Sequence, residues 1–271
     1  MNNILLLTDF SDDAKHAIFY GLTLFGDEGV RYKLVHSMYL PYSRVGAAAS
    51  QVDVRTENAR NAFEVFFEEI KTAFPDKNFD INAEVRCGEV IEVVFNLEKE
   101  KAIDLIIMGT RGNGGLATVL MGSNTISLME QVSTPVLAIP KDYEYQRPEK
   151  IVLAMDNGKG PKAKTLDPMV QLAERFNAQV LVIHVAKEET NVEINYDKVN
   201  KILQSVRSHC VTVYDKDVSK GLERFVKSEN VQMLCMIKQK LNFFERVFHR
   251  SLSNRMVLQT EVPMLVMGQK K

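Results

Sequence analysis

Residues 103–123 read IDLIIMGTRGNGGLATVLMGS. The first five residues are mostly apolar, which is typical of a short buried strand. Glycines at positions 109, 112 and 122 follow, and Gly122-Ser123 leads into a predicted helix. Glycine lets several backbone N–H groups approach one phosphate chain, and a helix start adds N–H groups and a positive dipole end. The stretch therefore predicts an α/β unit with a phosphate-binding loop after a strand.

This loop differs from the two common phosphate-binding loops. A P-loop ends in Gly-Lys followed by Ser or Thr, and no lysine precedes Ser123. The dinucleotide fingerprint follows the first strand of its unit, whereas these glycines follow the fourth predicted strand. A flexible connector is the alternative interpretation of the same glycines.

Short apolar runs alternate with longer amphipathic stretches on both sides of this loop, which is the pattern of a parallel sheet covered by helices. Ser11 is the predicted N-cap of the first helix. The long segment from Tyr39 to Gln51 is predicted to be a surface loop. The predicted strands are Asn3–Thr8, Arg31–Ser37, Phe79–Arg86, Ala102–Met108 and Pro135–Ile139, and the predicted helices are Asp12–Phe25, Asp53–Phe74, Glu89–Glu100 and Ser123–Gln131.

The same order occurs twice along the chain. Lys150–Asp156 falls on Asn3–Asp9, and Val262–Val266 falls on Thr134–Ala138. We therefore expect two domains, residues 1–141 (the first half) and 149–271 (the second half), joined by a polar linker. The predicted fold class is α/β, with two tandem, open-twisted, parallel five-stranded sheets and helices on both faces, as in Rossmann-like proteins.

Composition excludes several classes of protein. A formal net charge of −1 provides no field to attract nucleic acid or an anionic membrane. Three widely separated cysteines argue against a disulfide framework or a zinc site. The start, Met1-Asn2-Asn3, lacks the basic and long apolar parts of a signal peptide, and no apolar run reaches the length of a membrane span. We expect a cytoplasmic protein.

The spacing G-x2-G-x9-G-S resembles the ATP-binding signature of the universal stress protein family. Three further features match that family: Asp9 after the first strand, His36-Ser37 at the end of the second, and Val132–Ile139 around the fifth. The resemblance covers nearly the whole chain as two copies. It implies an ATP-binding stress-response protein, with or without Mg²⁺. Family members commonly pair through the fifth strand, so the resemblance also implies an internal pseudo-dimer, a further homodimer as an option, and a protein partner of unknown identity.

The resemblance assigns roles to individual residues. Asp9 would contact adenosine, and the backbone near Ser37 and Met38 would face adenine. The residues that would hold phosphate are Gly109, Gly112, Gly122 and Ser123, with Arg111 and Asn124 as further candidates. The alternative is that Asp9 only organises the turn between strand and helix. His36 and His184, at matching strand ends, are expected to serve packing or hydrogen bonding.

The second half departs from the pattern in its loop. Ile237, Lys240 and Arg250 replace the three spaced glycines, so backbone atoms cannot approach a phosphate closely and no ATP is predicted there. Phe243, Phe244, Val247 and Phe248 fall on one face of a predicted helix. They either fill the vacant site or form a partner surface.

Three functions remain open from the sequence. The leading one is a regulatory module that binds ATP in the first half. The second is a slow ATPase, although the loop carries one arginine and no carboxylate, and efficient phosphoryl transfer needs more charged groups than that. We therefore do not expect an efficient enzyme. The third is an interaction scaffold that binds no nucleotide.

Overall fold

Strands and helices alternate along most of the described chain. The computed structural model describes residues 1–39, 48–100, 103–112, 121–155, 160–186, 196–238 and 261–268. In the first half the elements are β1 (Asn3–Thr8), α1 (Asp12–Phe25), β2 (Arg31–Met38), α2 (Ala48–Ala73), β3 (Asp80–Cys87), α3 (Val90–Glu100), β4 (Leu105–Gly109), α4 (Ser123–Gln131) and β5 (Val136–Ile139). In the second half they are β6 (Lys150–Met155), α5 (Ala163–Phe176), β7 (Gln179–Ala186), α6 (Asp197–Ile202), β8 (Ser208–Tyr214), α7 (Val218–Ser228), β9 (Met233–Lys238) and β10 (Met264–Gly268).

Most predicted bounds agree with these elements to within a few residues. α1 and α4 have the predicted limits, and the Ser11 hydroxyl accepts a hydrogen bond from Ala14 N, which confirms the predicted N-cap. The start of α2 was predicted wrongly, because the helix begins at Ala48, inside the expected loop. Ala48 and Ala49 have the highest intrinsic preference for helix, and this explains the longer element.

One continuous sheet contains all ten of the described strands, in the order β3-β2-β1-β4-β5-β10-β9-β6-β7-β8. Neighbouring strands are parallel within each half, and β5 and β10 are antiparallel, with Leu137 opposite Leu265. The two five-stranded sheets are therefore joined through their fifth strands. As a consequence, the carboxyl edge of the sheet in the first half lies on the same side as the amino edge in the second.

The central strands are buried on both faces. Leu5, Leu6, Ile106 and Ile107 are fully buried, as expected for a parallel sheet between two helical layers. Right-handed crossovers place α1 and α2 on one face and α3 and α4 on the other. Consistent with this, the Phe19 ring of α1 packs edge-on against Phe66 of α2, with centroids 5.7 Å apart.

A side chain ahead of the fourth strand of each half fixes the start of the first strand. Asp104 Oδ2 accepts hydrogen bonds from the N–H groups of Asn2 (2.8 Å) and Asn3 (3.0 Å). Gln232 Oε1 does the same for residues 149–150, at 3.1 and 2.9 Å. The same pair of hydrogen bonds at matched positions of the two halves supports a duplicated unit.

The two histidines at matched strand ends also have matched partners. His36 Nδ1 lies 2.9 Å from the carbonyl oxygen of Thr8, and His184 Nδ1 lies 3.1 Å from that of Met155. Each imidazole therefore links the second strand of its half to the end of the first. This confirms the expected hydrogen-bonding role.

The segment that follows β5 crosses from the first half to the second. The carbonyl oxygen of Tyr143 lies 2.9 Å from His16 Nε2 of α1. The Tyr143 hydroxyl donates a hydrogen bond of 3.3 Å to the carbonyl oxygen of Gln232, ahead of β9. Arg175 of α5 adds a second connection, because its guanidinium donates to the carbonyl oxygen of Phe25 at the end of α1, at 2.6 Å.

Candidate functional site

The predicted site residues cluster at the carboxyl edge of the sheet in the first half. β1 lies between β2 and β4, so the strand order reverses direction between β1 and β4. In open α/β sheets, ligands bind at such a switch point, outside the carboxyl ends of the strands. Asp9 follows β1, and Gly109 ends β4.

A tight turn fixes Asp9 between β1 and α1. Asp9 Oδ1 accepts hydrogen bonds from the N–H (3.0 Å) and the hydroxyl of Ser11. Phe10, between them, has a left-handed backbone with φ of 60°, and its N–H donates to Thr8 Oγ1 at 2.9 Å. Asp9 therefore organises this turn, as its alternative interpretation expected, and its carboxylate is held in a fixed position at the edge of the sheet.

Gly112 lies directly against that carboxylate. A Cβ at residue 112 would lie 2.6 Å from Asp9 Oδ2, which is too close for any side chain without movement of Asp9. The fold thus brings together the aspartate after β1 and the second glycine of the motif, although 102 residues separate them in the sequence.

Gly109 has a structural reason for being glycine. A Cβ there would lie 2.9 Å from the carbonyl oxygen of Asp13 in the first turn of α1. A backbone atom of a helix cannot move aside easily, so the absence of a side chain lets α1 pack closely against the end of β4. The predicted phosphate contact at Gly109 remains a prediction.

Gly122 differs from the other two glycines of the motif. It is the N-cap of α4, with φ of −68° and no side-chain hydrogen bond to the helix. A Cβ at residue 122 would meet its nearest neighbour, the carbonyl oxygen of Thr110, at 3.5 Å, which is an ordinary contact. The described part of the fold therefore does not itself require glycine here. Ser123 and Asn124, in the first turn of α4, are exposed.

Two hydrogen bonds fix the start of α4 beside the end of β4. The N–H of Gly122 donates to the carbonyl oxygen of Thr110 at 2.6 Å. The buried hydroxyl of Thr125 donates to the carbonyl oxygen of Gly109 at 3.0 Å. The amino end of α4 is therefore held at the same edge of the sheet as Asp9.

Arg111 turns its side chain toward carboxylates. Its Nε lies 3.4 Å from Asp13 Oδ2, and one terminal nitrogen lies 3.7 Å from Asp142 Oδ2. These carboxylates compete with a phosphate at the glycine loop for the guanidinium. Its assignment as a phosphate contact remains a prediction.

Ser37 and Met38 end β2, next to Asp9. Thr8 pairs with His36, so Asp9 and Ser37 both lie one residue beyond the last pair between β1 and β2. The Ser37 hydroxyl donates to the carbonyl oxygen of Gly88 at 2.8 Å, and the Gly88 N–H donates to that of Met38 at 3.0 Å. Gly88 has φ of 128°, which favours glycine. The backbone at this strand end is therefore held rigidly.

Aromatic residues beside Asp9 were missed by the sequence analysis. The Phe10 ring lies 4.8 Å from the His36 ring and 5.1 Å from the Phe63 ring, measured between centroids. The sequence did contain a signal for this cluster, because the aromatic residue Phe10 directly follows Asp9, the predicted adenosine contact. Asp13 was also missed, because from the sequence it only marked the first turn of a helix.

The matching edge of the second half is described in part. Ile237, which aligns with Gly109, is buried in β9. The next residue, Lys238, places Nζ 3.4 Å from the carbonyl oxygen of Val132 at the end of α4, and desolvation lowers its pKa. Asp156, Lys240, Arg250 and the predicted aromatic face (Phe243, Phe244, Val247 and Phe248) lie outside the described residues.

Two open cavities of about 280 and 370 Å³ lie away from this edge, and neither is lined by a predicted site residue. One lies between Tyr143 and α7, and the other lies between the start of β1 and α5. We therefore base the site on the strand ends. Within the described ranges, no group of three or more His, Cys, Asp or Glu could hold a metal ion, and no helix has the length and apolarity to span a membrane.

Sequence comparison agrees with this architecture. The model of the universal stress protein family matches residues 1–140, which is more than half of the 271-residue chain. The chain belongs to the universal stress protein family. A universal stress protein of Mycolicibacterium smegmatis is 24% identical over 140 residues, 51% of this chain and 47% of that protein. Another, from Methanocaldococcus jannaschii, is 29% identical over 86 residues, 32% of this chain and 51% of that protein. This chain spans about half the length of these curated relatives.

The universal stress protein fold extends over both halves. The crystal structure of a universal stress protein from Archaeoglobus fulgidus aligns with a TM-score of 0.73 and covers 99% of both chains. The two sequences are 16% identical, so this likeness concerns the fold. It supports a two-part α/β architecture, including the second half, beyond the reach of the family match.

Proposed function

We propose that this universal stress protein is a regulatory protein of the stress response that binds an adenine nucleotide, ATP foremost, in its first half. The site lies outside the carboxyl ends of β1, β2 and β4. Its proposed contacts are Asp9, Ser37, Met38, Gly109, Arg111, Gly112, Gly122, Ser123 and Asn124.

The uncapped amino end of α4 is the observation that carries this proposal. Gly122 leaves the first turn of α4 without a side-chain cap, and among the described residues the Cβ that it lacks would meet only ordinary contacts. Exposed N–H groups and the positive end of a helix dipole together favour an anion. A phosphate of the nucleotide is the ligand that would make use of a bare backbone at this position.

The surrounding residues support an adenosine moiety beside the phosphates. Asp9 is held rigidly by Ser11, so its carboxylate is preorganised for a ribose hydroxyl, which can donate to it. Ser37 and Met38 lie at the adjacent strand end, and we assign the base to this side of the site. Gly112 contributes by leaving room beside Asp9.

We assign this function to a domain of residues 1–141 and expect the domain of residues 149–271 to bind no ATP. The second-half loop lacks glycine at all three matching positions, and Ile237 fills the place of Gly109. We also propose a cytoplasmic protein that binds no nucleic acid and no membrane.

We propose binding without efficient turnover. Phosphoryl transfer needs a positioned nucleophile and positive charge on the transferred group. The side chain of Arg111, the charged residue of the loop, is directed at Asp13 and Asp142. Mg²⁺ bound to the phosphates of ATP would neutralise part of their charge. Asp9, whose Oδ2 lies against Gly112, is our candidate carboxylate for such an ion.

The test compares ATP binding by the full chain and by Gly122→Asp, using calorimetry and the shift in melting temperature. The aspartate places a side chain and a negative charge at the amino end of α4, so we expect binding to be lost. Gln131→Asp adds the same charge at the exposed far end of α4 and should retain binding. Equal ATP affinity in Gly122→Asp and the wild type would disprove this site.

Two other functions give different results in the same samples. A slow ATPase would release phosphate above the blank and lose that activity in Asp9→Ala. An interaction scaffold would purify without adenine absorbance and would show no melting response to ATP. Mass spectrometry of the copurifying small molecule separates the scaffold from the two nucleotide-binding functions, and phosphate release separates those two.

A further inference from the structure

A buried carboxylate holds two cations beside the glycine loop. Asp13 lies in the first turn of α1, with its side chain 11% exposed. Arg111 Nε lies 3.4 Å from Asp13 Oδ2, and Lys141 Nζ lies 3.4 Å from Asp13 Oδ1. Three elements thus meet at one carboxylate: the start of α1, the exit of β4 and the exit of β5.

Burial makes Asp13 the dominant partner of these cations. Asp142 is a second carboxylate near Arg111, and its side chain is 86% exposed. Its Oδ2 lies 3.7 Å from a terminal nitrogen of the Arg111 guanidinium. An exposed pair contributes little because water screens it, whereas a pair with a buried member is screened less. The direction of the Arg111 side chain therefore depends mainly on Asp13.

The backbone of Arg111 nevertheless belongs to the proposed site. Its Cα would lie 3.8 Å from a Cβ at Gly122, and the next residue, Gly112, lies against Asp9. The Arg111 backbone is therefore close to the proposed phosphate position, while its guanidinium is paired with carboxylates. Segments 9–13, 110–112 and 140–143 carry four aspartates (Asp9, Asp12, Asp13, Asp142) against two cations (Arg111, Lys141).

We propose that Asp13 determines how the site discriminates among ligands by phosphate charge. Asp13 withholds Arg111 and Lys141 from the ligand, and this lowers the affinity for polyphosphates relative to nucleotides with few phosphate charges. The inference rests on the proposed function, because it concerns the same site. Asp13 affects how the affinity depends on the number of phosphate groups in the ligand, and it leaves the recognition of adenine unchanged.

The experiment measures affinities for adenosine, AMP, ADP and ATP by calorimetry at one ionic strength. Asp13→Asn keeps the shape of the side chain and removes its charge. We expect the affinity for ATP to rise about three- to tenfold, with smaller gains for ADP and AMP and none for adenosine. Added salt should reduce the gain. Asp142→Asn is the matched control and should change ATP affinity by less than about twofold.

The double variant Asp13→Asn, Arg111→Gln tests the origin of the gain. If released Arg111 strengthens phosphate binding, the double variant loses most of the increase. The wild type provides a readout that needs no variant: it should bind ATP no more than about threefold more tightly than AMP, since its cations are held by Asp13. A wild type that favours ATP over AMP by far more than this contradicts the inference.

Inorganic tripolyphosphate separates this inference from the proposed function. If no adenine ligand binds but Asp13→Asn strengthens tripolyphosphate binding, the proposed function fails and the inference holds. If ATP binds and Asp13→Asn changes adenosine and ATP affinity equally, Asp13 has only a structural role. Weaker ATP binding by this variant would show that Asp13 directs the cations toward the ligand. Equal changes in adenosine and ATP affinity, or weaker ATP binding by Asp13→Asn, would overturn the inference.

Discussion

The carboxylate of Asp9 occupies the space where Gly112 would carry a side chain, with only 2.6 Å between Asp9 Oδ2 and the Cβ position of residue 112. Asp9 has little freedom to withdraw, because Ser11 holds its other oxygen. The two residues are therefore coupled, because the size of the side chain at position 112 determines whether Asp9 keeps its position.

Gly112→Ala should destabilise the protein by about 1 kcal/mol, because the added methyl group pushes the Asp9 side chain from its hydrogen bonds. In an Asp9→Ala background the same substitution should cost nothing, which gives a coupling free energy of about 1 kcal/mol. Urea unfolding of the four proteins measures it. Additive effects of the two substitutions would mean that the residues are not in contact.

Gly109 and Gly122 should respond differently to alanine. At Gly109 the methyl group meets the backbone of α1, so we expect a loss of about 1–3 kcal/mol in the free energy of unfolding. At Gly122 the described neighbours leave room for the methyl group, and the change should stay within about 0.5 kcal/mol. Equilibrium urea unfolding compares the two variants. A larger cost at Gly122 than at Gly109 would contradict the described packing.

Stability should fall steeply in alkali because tyrosines are buried. Burial raises the pKa of Tyr143 from 10.0 to about 12, and it also raises the pKa values of Tyr20 and Tyr32. Above pH 10 the unfolded chain loses phenolic protons that the folded chain keeps, so this stabilisation is complete below pH 10 and is lost as pH rises through 12. Urea unfolding across this pH range measures it.

Tyr143→Phe should reduce the dependence of stability on pH in this range, because it removes one group with a raised pKa. The lost hydrogen bond to Gln232 lowers stability about equally at all pH values below 10, so the slope with pH separates the two effects. An unchanged slope would show that the Tyr143 hydroxyl is accessible to solvent in the folded protein.

A fragment of residues 1–148 should self-associate. Removal of the second half exposes the edge of β5, where Val136, Leu137 and Ala138 pair with β10 in the full chain. An uncovered strand edge offers N–H and C=O groups to another copy. Light scattering should show a dimer, and substitution of Ala138 by proline should weaken it, because the Ala138 N–H faces β10 in the full chain and proline removes this donor. A monomeric fragment with native circular dichroism would contradict this expectation.

Local patterns predicted the elements well because short-range forces determine them. Ser11 followed by two aspartates identified the start of α1, since a capping hydroxyl and negative charge stabilise a helix amino end. The limits of α4 were predicted for a similar reason, from Gly122-Ser123. The start of α2 was missed because a loop rich in small residues and a helix rich in alanine look alike in sequence.

The candidate site was predicted in part. The sequence identified which residues follow the strands, because the carboxyl ends of parallel strands meet at one edge of a sheet. It did not reveal that Arg111 faces Asp13, nor that Gly109 is required by the backbone of α1. Both depend on the packing of α1 against β4, which brings together residues about 100 positions apart.

By itself, the sequence determined the alternation of strands and helices, the return of that order in the second half and the position of the glycines after the fourth strand, because periodicity and backbone freedom belong to short segments. The family resemblance already implied that the two halves join through their fifth strands, whereas only the tertiary structure decided that Gly112 faces Asp9 and that Asp13 holds Arg111 and Lys141. These relationships depend on distances between segments remote in the chain, and those distances are set when the helices pack on the sheet.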